Sequence, residues 1–369
     1  MNTEFIKALD DIEKEKGVSK AILLEALEAA LISAYKKNFG SSQNVEVIID
    51  AETGLVQVYA LKEVVEDVYD NLLEVSVEDA HAKDPKLVLG DFLRFEVTPK
   101  DFGRIAAQNA KQVVVQRIRE AERDGIFNEY ASRENEMING VVQRVTRNNV
   151  LINLGKTEGV LLPAEQMPME VYNQGDRIKC YILEVKRTSK GPQIILSRTH
   201  PGLVKRLFEL EVPEIEEGIV EIFGVAREAG SRTKLAVYNV EENVDPVGAC
   251  VGEKGTRVKA IVEELSGEKI DIIEWSNEDE SFIANALSPS KVVSVTLNET
   301  DKAALVVVPD YQLSLAIGKE GQNARLAAKL TGWKIDIKSE TQYEELTNNH
   351  ETPSTTEDVE EALPEQGVE

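Results

Sequence analysis

The sequence predicts a multidomain α+β protein, and three features of its pattern support that prediction. The first part combines helical stripes with paired strand segments, the middle contains five short strand segments separated by glycine, and the second half contains an internal repeat. With 369 residues the chain is long enough for about two to four domains. Its apolar share of 42% is sufficient for ordinary hydrophobic cores.

Composition excludes several classes of protein. No stretch of about 18 consecutive apolar residues occurs, so we expect no membrane-spanning helix. The first residues lack a basic segment followed by an apolar one, so we expect no secretory signal and a cytoplasmic location. Cys180 and Cys250 are too few for a disulfide framework and are expected in the core. The three histidines are far apart and no Cys–His pair has ligand spacing, so neither a metal site nor a cofactor is expected.

The net charge of −24 is unevenly distributed along the chain. Residues 1–125 contain 16 Lys and Arg against 24 Asp and Glu, and residues 339–369 contain ten acidic residues and no Lys or Arg. Residues 134–200 contain nine basic and seven acidic residues, a small positive excess. Any contact with phosphate is therefore expected from short basic clusters and backbone amides, because no global positive field exists to supply it.

The first 125 residues are predicted to form an α+β domain. Ser19 can cap a helix that continues to Lys37, and the segments Val45–Asp50 and Leu55–Ala60 flank a turn as the strands of a hairpin do. A long helix is predicted from Phe102, with an apolar stripe at spacings of three and four residues: Ala107, Ala110, Val114, Ile118 and Ala121. We place the end of this domain near residue 125 and expect residues 126–137 to be the end of a connecting helix.

Residues 134–200 are predicted to form a small β-barrel. The five strand segments are Gly140–Arg147, Val150–Leu154, Gly159–Leu162, Asp176–Lys186 and Gln193–Ser197. Five short strands favour an S1/OB-type five-stranded β-barrel, which closes on itself and binds oligonucleotides in many proteins. Its candidate phosphate contacts are Arg144, Arg147, Lys186 and Arg187. The alternative is another small barrel that binds no ligand.

The second half contains an internal repeat. Val251–Ile261 contains Gly-Glu-Lys-Gly and leads to Lys269–Ile272, whereas Ile317–Ala327 contains Gly-Lys-Glu-Gly and leads to Lys334–Ile337. In each copy a strand segment and a short helix precede the loop, and an apolar-striped helix, a glycine and a strand follow it. A GxxG tetrapeptide alone is uninformative, but a repeated helix–GxxG–helix–strand unit is a specific signal.

The repeated loop predicts binding of single-stranded RNA. Glycine at both ends lets backbone amides approach a phosphate without a Cβ in the way. Apolar residues beside the loop, Val251 and Val258 in the first copy and Ile317 and Ala324 in the second, can hold unstacked bases. This is the arrangement of a KH domain, which clamps four nucleotides. The alternative is a helix hairpin that needs glycine only to turn.

The candidate RNA-binding residues of the repeat lie in and around the two loops. They are Arg232, Lys234, Gly252, Lys254, Gly255, Lys259, Gly318, Lys319, Gly321, Asn323 and Arg325. Lys319 opens the second loop where Glu253 opens the first, and arginine is a better bidentate partner for phosphate than lysine, which favours Arg325 over Lys259. We therefore expect the second copy to contribute more to RNA binding.

An α+β domain, an S1 barrel and two KH units, in this order, resemble the NusA family of bacterial transcription factors. Asp101–Val113 is similar to that family's N-terminal linker helix, and Arg227–Lys234 is similar to its segment before the first GxxG loop. The resemblance covers residues 1 to about 345. It implies an N-terminal RNA polymerase-binding domain with a long linker helix at 1–125, an S1 domain at 134–200, and type II-like KH α/β domains at 201–278 and 279–345. Residues 346–369 contain many acidic and polar residues and no Lys or Arg, and this composition predicts a short disordered acidic tail.

The resemblance also implies a function. Members of the family are non-catalytic RNA-binding elongation factors that promote pausing and modulate termination and antitermination. The expected partners are the RNA polymerase core near its flap and RNA exit channel, nascent single-stranded RNA and RNA hairpins, and other antitermination factors. Lys36, Lys37, Arg104 and Lys111 are the candidates for the face toward polymerase and exiting RNA, since they form a basic set in an otherwise acidic domain. We expect a monomer that does not associate with membranes.

Two other classes of protein contain these modules. Polynucleotide phosphorylase has KH and S1 domains behind two large catalytic domains, but in the opposite order, and the 125 residues that precede the barrel here are too few for such domains. A general RNA chaperone or translation factor would have the same RNA-binding modules. Binding of the first domain to core polymerase distinguishes the NusA function from that alternative.

Overall fold

The computed structural model describes residues 3–39, 44–241 and 243–350. The chain divides into two compact units. The first consists of the residues up to Ser132 together with Arg187–Pro192, and the second consists of the rest of the chain. The mixed α+β architecture predicted from the sequence is confirmed.

Helices and a mixed sheet build the first unit. Its elements are α1 (Thr3–Lys16), α2 (Lys20–Phe39), β1 (Val45–Ile49), β2 (Val56–Val65), β3 (Glu74–Ser76), α3 (Val77–Lys83), β4 (Phe92–Glu96) and α4 (Phe102–Ala131). β2 is the central strand, because it pairs antiparallel with β1 and β4 and parallel with β3. The predicted hairpin is therefore present, and its turn is bound by the Asp50 carboxylate, which accepts from the amides of Glu52 and Thr53 at 3.0 and 2.6 Å.

The core of this unit lies between the helices and the β1–β2 hairpin. Leu23, Leu27 and Leu31 of α2 are fully buried in the same cluster as Phe102 and Ala106 of α4. Burial of each leucine side chain contributes about 1.5–3 kcal/mol of transfer free energy, so this face holds α2 against α4. The helix α1, which the sequence analysis did not predict, adds further apolar side chains to the same cluster.

The long helix α4 continues beyond residue 125 and ends within residues 126–137, the segment expected to contain a helix end. It spans 30 residues and continues through Gly125 to Ala131. A glycine inside a helix costs only about 1 kcal/mol, and the buried ring of Tyr130 in the last turn supplies apolar burial that offsets this cost.

The barrel of the second unit is closed. Its strands are β5 (Met137–Val145), β6 (Val150–Asn153), β7 (Glu158–Leu161), β8 (Arg177–Thr188) and β9 (Gly191–Ser197), in the order β5-β6-β7-β9-β8. Glycine is required where the strands pack most closely: a Cβ on Gly140 would lie 2.3 Å from Ile152 Cγ2, and one on Gly159 would lie 2.5 Å from Leu196 Cδ1. The predicted five-stranded barrel is confirmed.

Two α/β modules follow the barrel, and their element order is the same apart from the short helix α6 in the first. The first contains α5 (Pro201–Glu211), α6 (Pro213–Glu216), β10 (Val220–Glu228), β11 (Arg232–Asn239), α7 (Pro246–Val251), α8 (Thr256–Glu264) and β12 (Lys269–Glu274). The second contains α9 (Asp279–Ala286), β13 (Ser294–Asn298), β14 (Ala303–Val308), α10 (Leu313–Ile317), α11 (Gln322–Thr331) and β15 (Lys334–Ser339). In each sheet the hairpin is antiparallel and the last strand is parallel to its neighbour. This topology is the predicted type II KH arrangement.

A buried ion pair lies inside the first KH module, and its arginine also contacts the end of the barrel segment. Arg227 Nε and Nη2 each donate to the Glu268 carboxylate at 2.8 Å, and both side chains are fully buried. Arg227 Nη1 also donates to the carbonyl oxygen of His200, at the end of the barrel segment, at 2.9 Å. Burial by itself would raise the pKa of Glu268, but the Arg227 hydrogen bonds and charge outweigh it and hold that pKa below its usual value.

The two KH modules also pack as one body. Ala226 and Ala236 of the first sheet lie in one buried cluster with Phe282 of α9 and Leu326 of α11. The shared apolar cluster fixes the position of the second GxxG loop relative to the first sheet.

The acidic tail predicted from residue 346 needs a correction. Residues 346–350 form the end of a further helix, α12 (Glu340–His350). This helix is attached to the second KH module because Asp310 accepts hydrogen bonds from the amide and hydroxyl of Thr341, at 3.4 and 2.9 Å. The rest of the predicted tail, residues 351–369, lies outside the described residues.

Candidate nucleic-acid interface

The two GxxG loops have nearly identical backbone conformations. In the first loop φ and ψ are 73° and 173° at Gly252, 52° and 23° at Lys254, and 76° and 21° at Gly255. In the second loop the corresponding values are 76° and 171° at Gly318, 54° and 27° at Glu320, and 72° and 15° at Gly321. Three of the four residues in each loop therefore have positive φ. Two modules with different side chains keep one unusual backbone shape.

The first glycine of each loop is required for two reasons. Its φ and ψ lie in a region that only glycine adopts without strain. A Cβ on Gly318 would also lie 2.8 Å from Asn323 Cβ and 2.9 Å from the Asn323 amide nitrogen, and one on Gly252 would lie 2.7 Å from Arg257 Cγ. The backbone of each loop therefore packs directly on the helix that follows it.

The helices that follow the loops begin without a side-chain cap. Gly255 is the N-cap of α8 and Gly321 is the N-cap of α11, and neither has a side chain that could accept from the first amides. The positive end of a helix and its uncapped amides attract anions. Next to a glycine-rich turn this arrangement suits a phosphate of the RNA backbone.

The central residues of both loops are exposed but carry their charges in opposite order. Lys254 occupies the left-handed position of the first loop, whereas Glu320 occupies it in the second. Glu253 and Lys319 take the preceding positions, and their side chains are also exposed. The sign of the charge at each position therefore differs between two loops of the same shape.

A basic residue after each loop folds back over it. Lys259 Nζ donates to the carbonyl oxygen of Lys254 at 3.3 Å, and Arg325 Nη1 donates to that of Glu320 at 3.1 Å. These carbonyls belong to equivalent positions in the two repeats. Both predicted cations are thus placed at their loops.

Asn323 is not available to RNA, which contradicts its prediction as an RNA contact. Its side chain is buried, and Nδ2 donates to the carbonyl oxygens of Leu287 and Ala316, both at 3.0 Å. Arg257, at the equivalent position of the first repeat, donates in the same way to the Ala249 carbonyl at 2.6 Å. This position ties the helix after the loop to the helix before it, so its role is structural.

Lys234 is also wrongly predicted as an RNA contact. Its side chain is fully buried, and Nζ donates to Asp271 at 3.2 Å and to the Ser288 carbonyl at 2.8 Å. Burial lowers the pKa of Lys234, and the Asp271 charge opposes that shift. Arg232 binds the same carboxylate through Nε and Nη2 at 2.7 and 2.9 Å, so its charge is already paired. Both residues were predicted as RNA contacts, but the Lys234 side chain points inward and the Arg232 side chain is bound by Asp271.

The candidate residues of the barrel are all exposed. Arg144 lies on β5 and Arg147 lies in the turn that follows it. Lys186 pairs with Glu184 at 2.9 Å, and Arg187 pairs with Asp124 at 2.8 Å. Arg144 and Arg147 make no ion pair in the described part of the chain, so they are the stronger phosphate candidates.

Three of the four candidates on the first unit lie where the end of α2 meets the start of α4. Lys36 and Lys37 lie in the last turn of α2, and Arg104 lies in the first turn of α4. These ends meet, because the rings of Phe39 and Phe102 are 6.4 Å apart. Lys111 lies about 10 Å further along α4, from a rise of about 1.5 Å per residue. None of the four cations makes an ion pair in the residues that the structure describes, and all four are exposed.

Sequence reasoning missed several contacts between separate modules. Glu228 accepts from Arg325 and from Gln322, although it is more than 90 residues away from both along the chain. Arg198 is buried between Glu170 and Glu264, again across the barrel and the first KH module. Such pairs have no periodic signal in sequence, because they depend on the packing of separate modules.

Neither a membrane-spanning helix nor a metal-binding cluster occurs among the described residues. No helix there is both long and apolar enough to cross a bilayer. No group of three or more His, Cys, Asp or Glu side chains there is arranged to hold a metal ion.

Comparison with protein families assigns four consecutive segments. They match the NusA N-terminal domain (residues 4–124), the S1 RNA binding domain (132–198), the NusA-like first KH domain (198–275) and the NusA-like second KH domain (279–345).

Comparison with individual proteins agrees. The chain is 61% identical over 346 residues to the transcription termination/antitermination protein NusA of Bacillus subtilis, covering 94% of this chain and 93% of that protein. It is 44% identical to the NusA of Thermus thermophilus, covering 91% of this chain and 89% of that protein. The solution structure of the N-terminal domain of B. subtilis NusA is 59% identical over 33% of this chain and 99% of that one, with a TM-score of 0.31. The near full-length identity shows that the chain belongs to the NusA family of transcription termination/antitermination proteins.

Proposed function

We propose that this chain is a non-catalytic factor that binds RNA polymerase and nascent RNA, promotes pausing, and modulates termination and antitermination. The observation that supports RNA binding most strongly is the pair of GxxG loops with matched backbone angles, each followed by an uncapped helix and a basic residue. The names of its relatives support a role in transcription termination and antitermination.

The preferred RNA is single-stranded. Apolar side chains lie beside both loops, and in the second module Leu315 and Ile317 are 47% and 37% exposed. Such surfaces accept unstacked bases, which a duplex does not offer. The barrel contributes charge and not base stacking, because both of its tyrosines are engaged within the protein. Tyr181 is buried against His200, and the Tyr172 hydroxyl accepts a hydrogen bond from the Met167 amide.

The first unit supplies the surface for polymerase. An apolar patch surrounds the C-terminal end of β2, where the Leu73 carbonyl accepts from the Glu63 amide and the Asp91 carbonyl accepts from the Val64 amide. Its exposed members are Val68, Tyr69, Leu72, Leu73, Val88, Leu89 and Phe92. Exposed apolar groups concentrated in this way mark protein–protein contacts. We assign the basic set on α2 and α4 (Lys36, Lys37, Arg104 and Lys111) to contacts with exiting RNA.

The test separates the two binding partners in the full chain. Tyr69→Ser with Val88→Ser should reduce capture of core polymerase and leave affinity for a single-stranded RNA oligonucleotide unchanged. The matched control, Met169→Ser with Val171→Ser, removes apolar side chains that are 76% and 80% exposed on the second unit. It should affect neither measurement.

Two results would contradict the proposal. Wild-type protein that fails to capture core polymerase would favour a general RNA chaperone or translation factor. Wild-type protein that captures polymerase but shows no affinity for single-stranded RNA would remove the role assigned to the loops.

A further inference from the structure

The carboxylate of Glu228 contacts the helix that follows the second GxxG loop. Glu228 is the last residue of β10, in the first KH module. Its Oε1 accepts from Arg325 Nε at 2.6 Å, and its Oε2 accepts from Gln322 Nε2 at 2.8 Å. Gln322 Nε2 also donates to Ser231 Oγ at 2.7 Å. One carboxylate of the first module therefore binds two side chains from the first turn of α11.

The same guanidinium lies over the loop. While Nε of Arg325 binds Glu228, Nη1 binds the Glu320 carbonyl of the loop at 3.1 Å. An RNA phosphate that entered the loop would therefore meet an arginine with one edge already occupied by an anion. The hydrogen bond and charge of Arg325 lower the pKa of Glu228, so this carboxylate is ionised at neutral pH.

Among the described residues, no carboxylate is bound to the corresponding cation of the first loop. Lys259 is the counterpart of Arg325, and its contact with the Lys254 carbonyl is to an uncharged group. In the described part of the chain Lys259 makes no ion pair. The difference arises because the β10–β11 turn of the first module packs on the second module, so a carboxylate is brought to one loop and not to the other.

We propose that Glu228 is an internal anion that competes with the RNA backbone for Arg325, so that RNA must displace it to use the second loop fully. The proposal depends on the proposed RNA-binding function of the loops. Arg325 is 56% exposed and Glu228 32%, so the pair is weak enough to be opened by a ligand. It also removes one of the two grounds for expecting the second loop to bind RNA more strongly than the first, because Arg325 is already engaged; the position of Lys319 is the other ground.

The proposal predicts that loss of the carboxylate tightens RNA binding. Glu228→Gln keeps the shape of the side chain and removes its charge, so affinity of the full chain for a single-stranded RNA oligonucleotide should rise about two- to fivefold in low salt, the range expected for an exposed ion pair. The slope of log affinity against log salt should steepen by about 0.7, the value for one more phosphate contact on a single strand. Glu216→Gln, which removes an exposed carboxylate on α6 of the same module, should produce neither change.

A double-substitution cycle tests whether the effect passes through Arg325. In an Arg325→Gln background, Glu228→Gln should no longer tighten binding, because no guanidinium is left to be released. If Glu228→Gln raises affinity equally with and without the arginine, the effect is general charge repulsion and the proposal is wrong. A Glu228→Gln affinity no higher than that of Glu216→Gln would overturn it as well.

A measurement on the wild-type chain tests the proposal even if a substituted chain fails to fold. In ¹⁵N-labelled wild-type protein, the Nε–H resonance of Arg325 should shift on addition of the RNA oligonucleotide, as the bond to Glu228 is exchanged for one to phosphate. An unmoved resonance at RNA saturation would refute the proposal and leave RNA binding itself standing. Wild-type protein without RNA affinity would instead contradict the proposed function.

Discussion

Alanine at Gly318 should be far more damaging than alanine at Gly321, three residues later. Gly318 has φ 76° and ψ 171°, where non-glycine residues are strained by about 1–3 kcal/mol. The added Cβ would also lie 2.9 Å from the Asn323 amide nitrogen, a backbone atom that cannot rotate away. At Gly321 φ is 72° and ψ is 15°, and a Cβ would have nothing within 4 Å. A residue in this left-handed region costs about 1–2 kcal/mol and meets no clash.

The protein can respond to Gly318→Ala in two ways. It can keep the backbone conformation of the loop and lose free energy of unfolding, or change that conformation and lose RNA affinity. The two losses should together reach about 2–4 kcal/mol, from backbone strain plus displacement of Asn323. Urea unfolding and fluorescence anisotropy with a single-stranded RNA oligonucleotide measure the two parts. Gly252→Ala should be milder, because its Cβ would meet the movable side chain of Arg257. Equal losses for Gly318→Ala and Gly321→Ala would refute the reasoning.

Three further outcomes are expected. Glu268→Gln should lower the free energy of unfolding by about 3–5 kcal/mol at pH 7, because it leaves the buried Arg227 without its anion. Since the fold lowers the pKa of Glu268, this stabilisation is present above the usual glutamate pKa and is lost as pH falls below it. Urea unfolding curves of wild type and variant should therefore converge on acidification. Arg104→Glu with Lys111→Glu should weaken hairpin-stimulated pausing in transcription assays while polymerase capture persists, and unchanged pausing would make this basic set a solvated face only. Removal of residues 351–369, which contain seven acidic and no basic residues, should leave the melting temperature unchanged and tighten RNA binding at low salt; equal affinities with and without the segment would show that it does not compete with RNA.

The elements that the sequence predicted well are those with strong local signals. The β1–β2 hairpin, the barrel strands and the repeated loops all have periodic apolar residues and glycines at fixed positions. The end of α4 at Ala131 lies within residues 126–137, where a helix end was expected, because Gly125 alone is a weak helix terminator. The helix α12 was missed, because the Thr341–Asp310 contact that holds it joins residues 31 positions apart.

Some residues of the candidate site could also be predicted from local sequence signals, and others could not. Gly252, Gly255, Gly318 and Gly321 could be assigned from sequence, because positive φ and close backbone packing restrict those positions to few residue types. Side-chain charge did not predict exposure, and Lys234 is the clearest case. Whether a lysine faces solvent or an aspartate on the neighbouring strand depends on strand register and on packing of the next module, neither of which is a local property.

The most direct test of RNA binding by the two loops replaces their central residues with aspartate. Lys254 and Glu320 have positive φ, and aspartate tolerates that region better than most residues, so the loop shape should persist. The full chain with Glu253→Asp, Lys254→Asp, Lys319→Asp and Glu320→Asp should keep its melting temperature and lose at least about a hundredfold in affinity for single-stranded RNA, or about 2.7 kcal/mol. A stable variant that binds RNA as tightly as the wild type would contradict the assignment of the loops as the RNA-binding site.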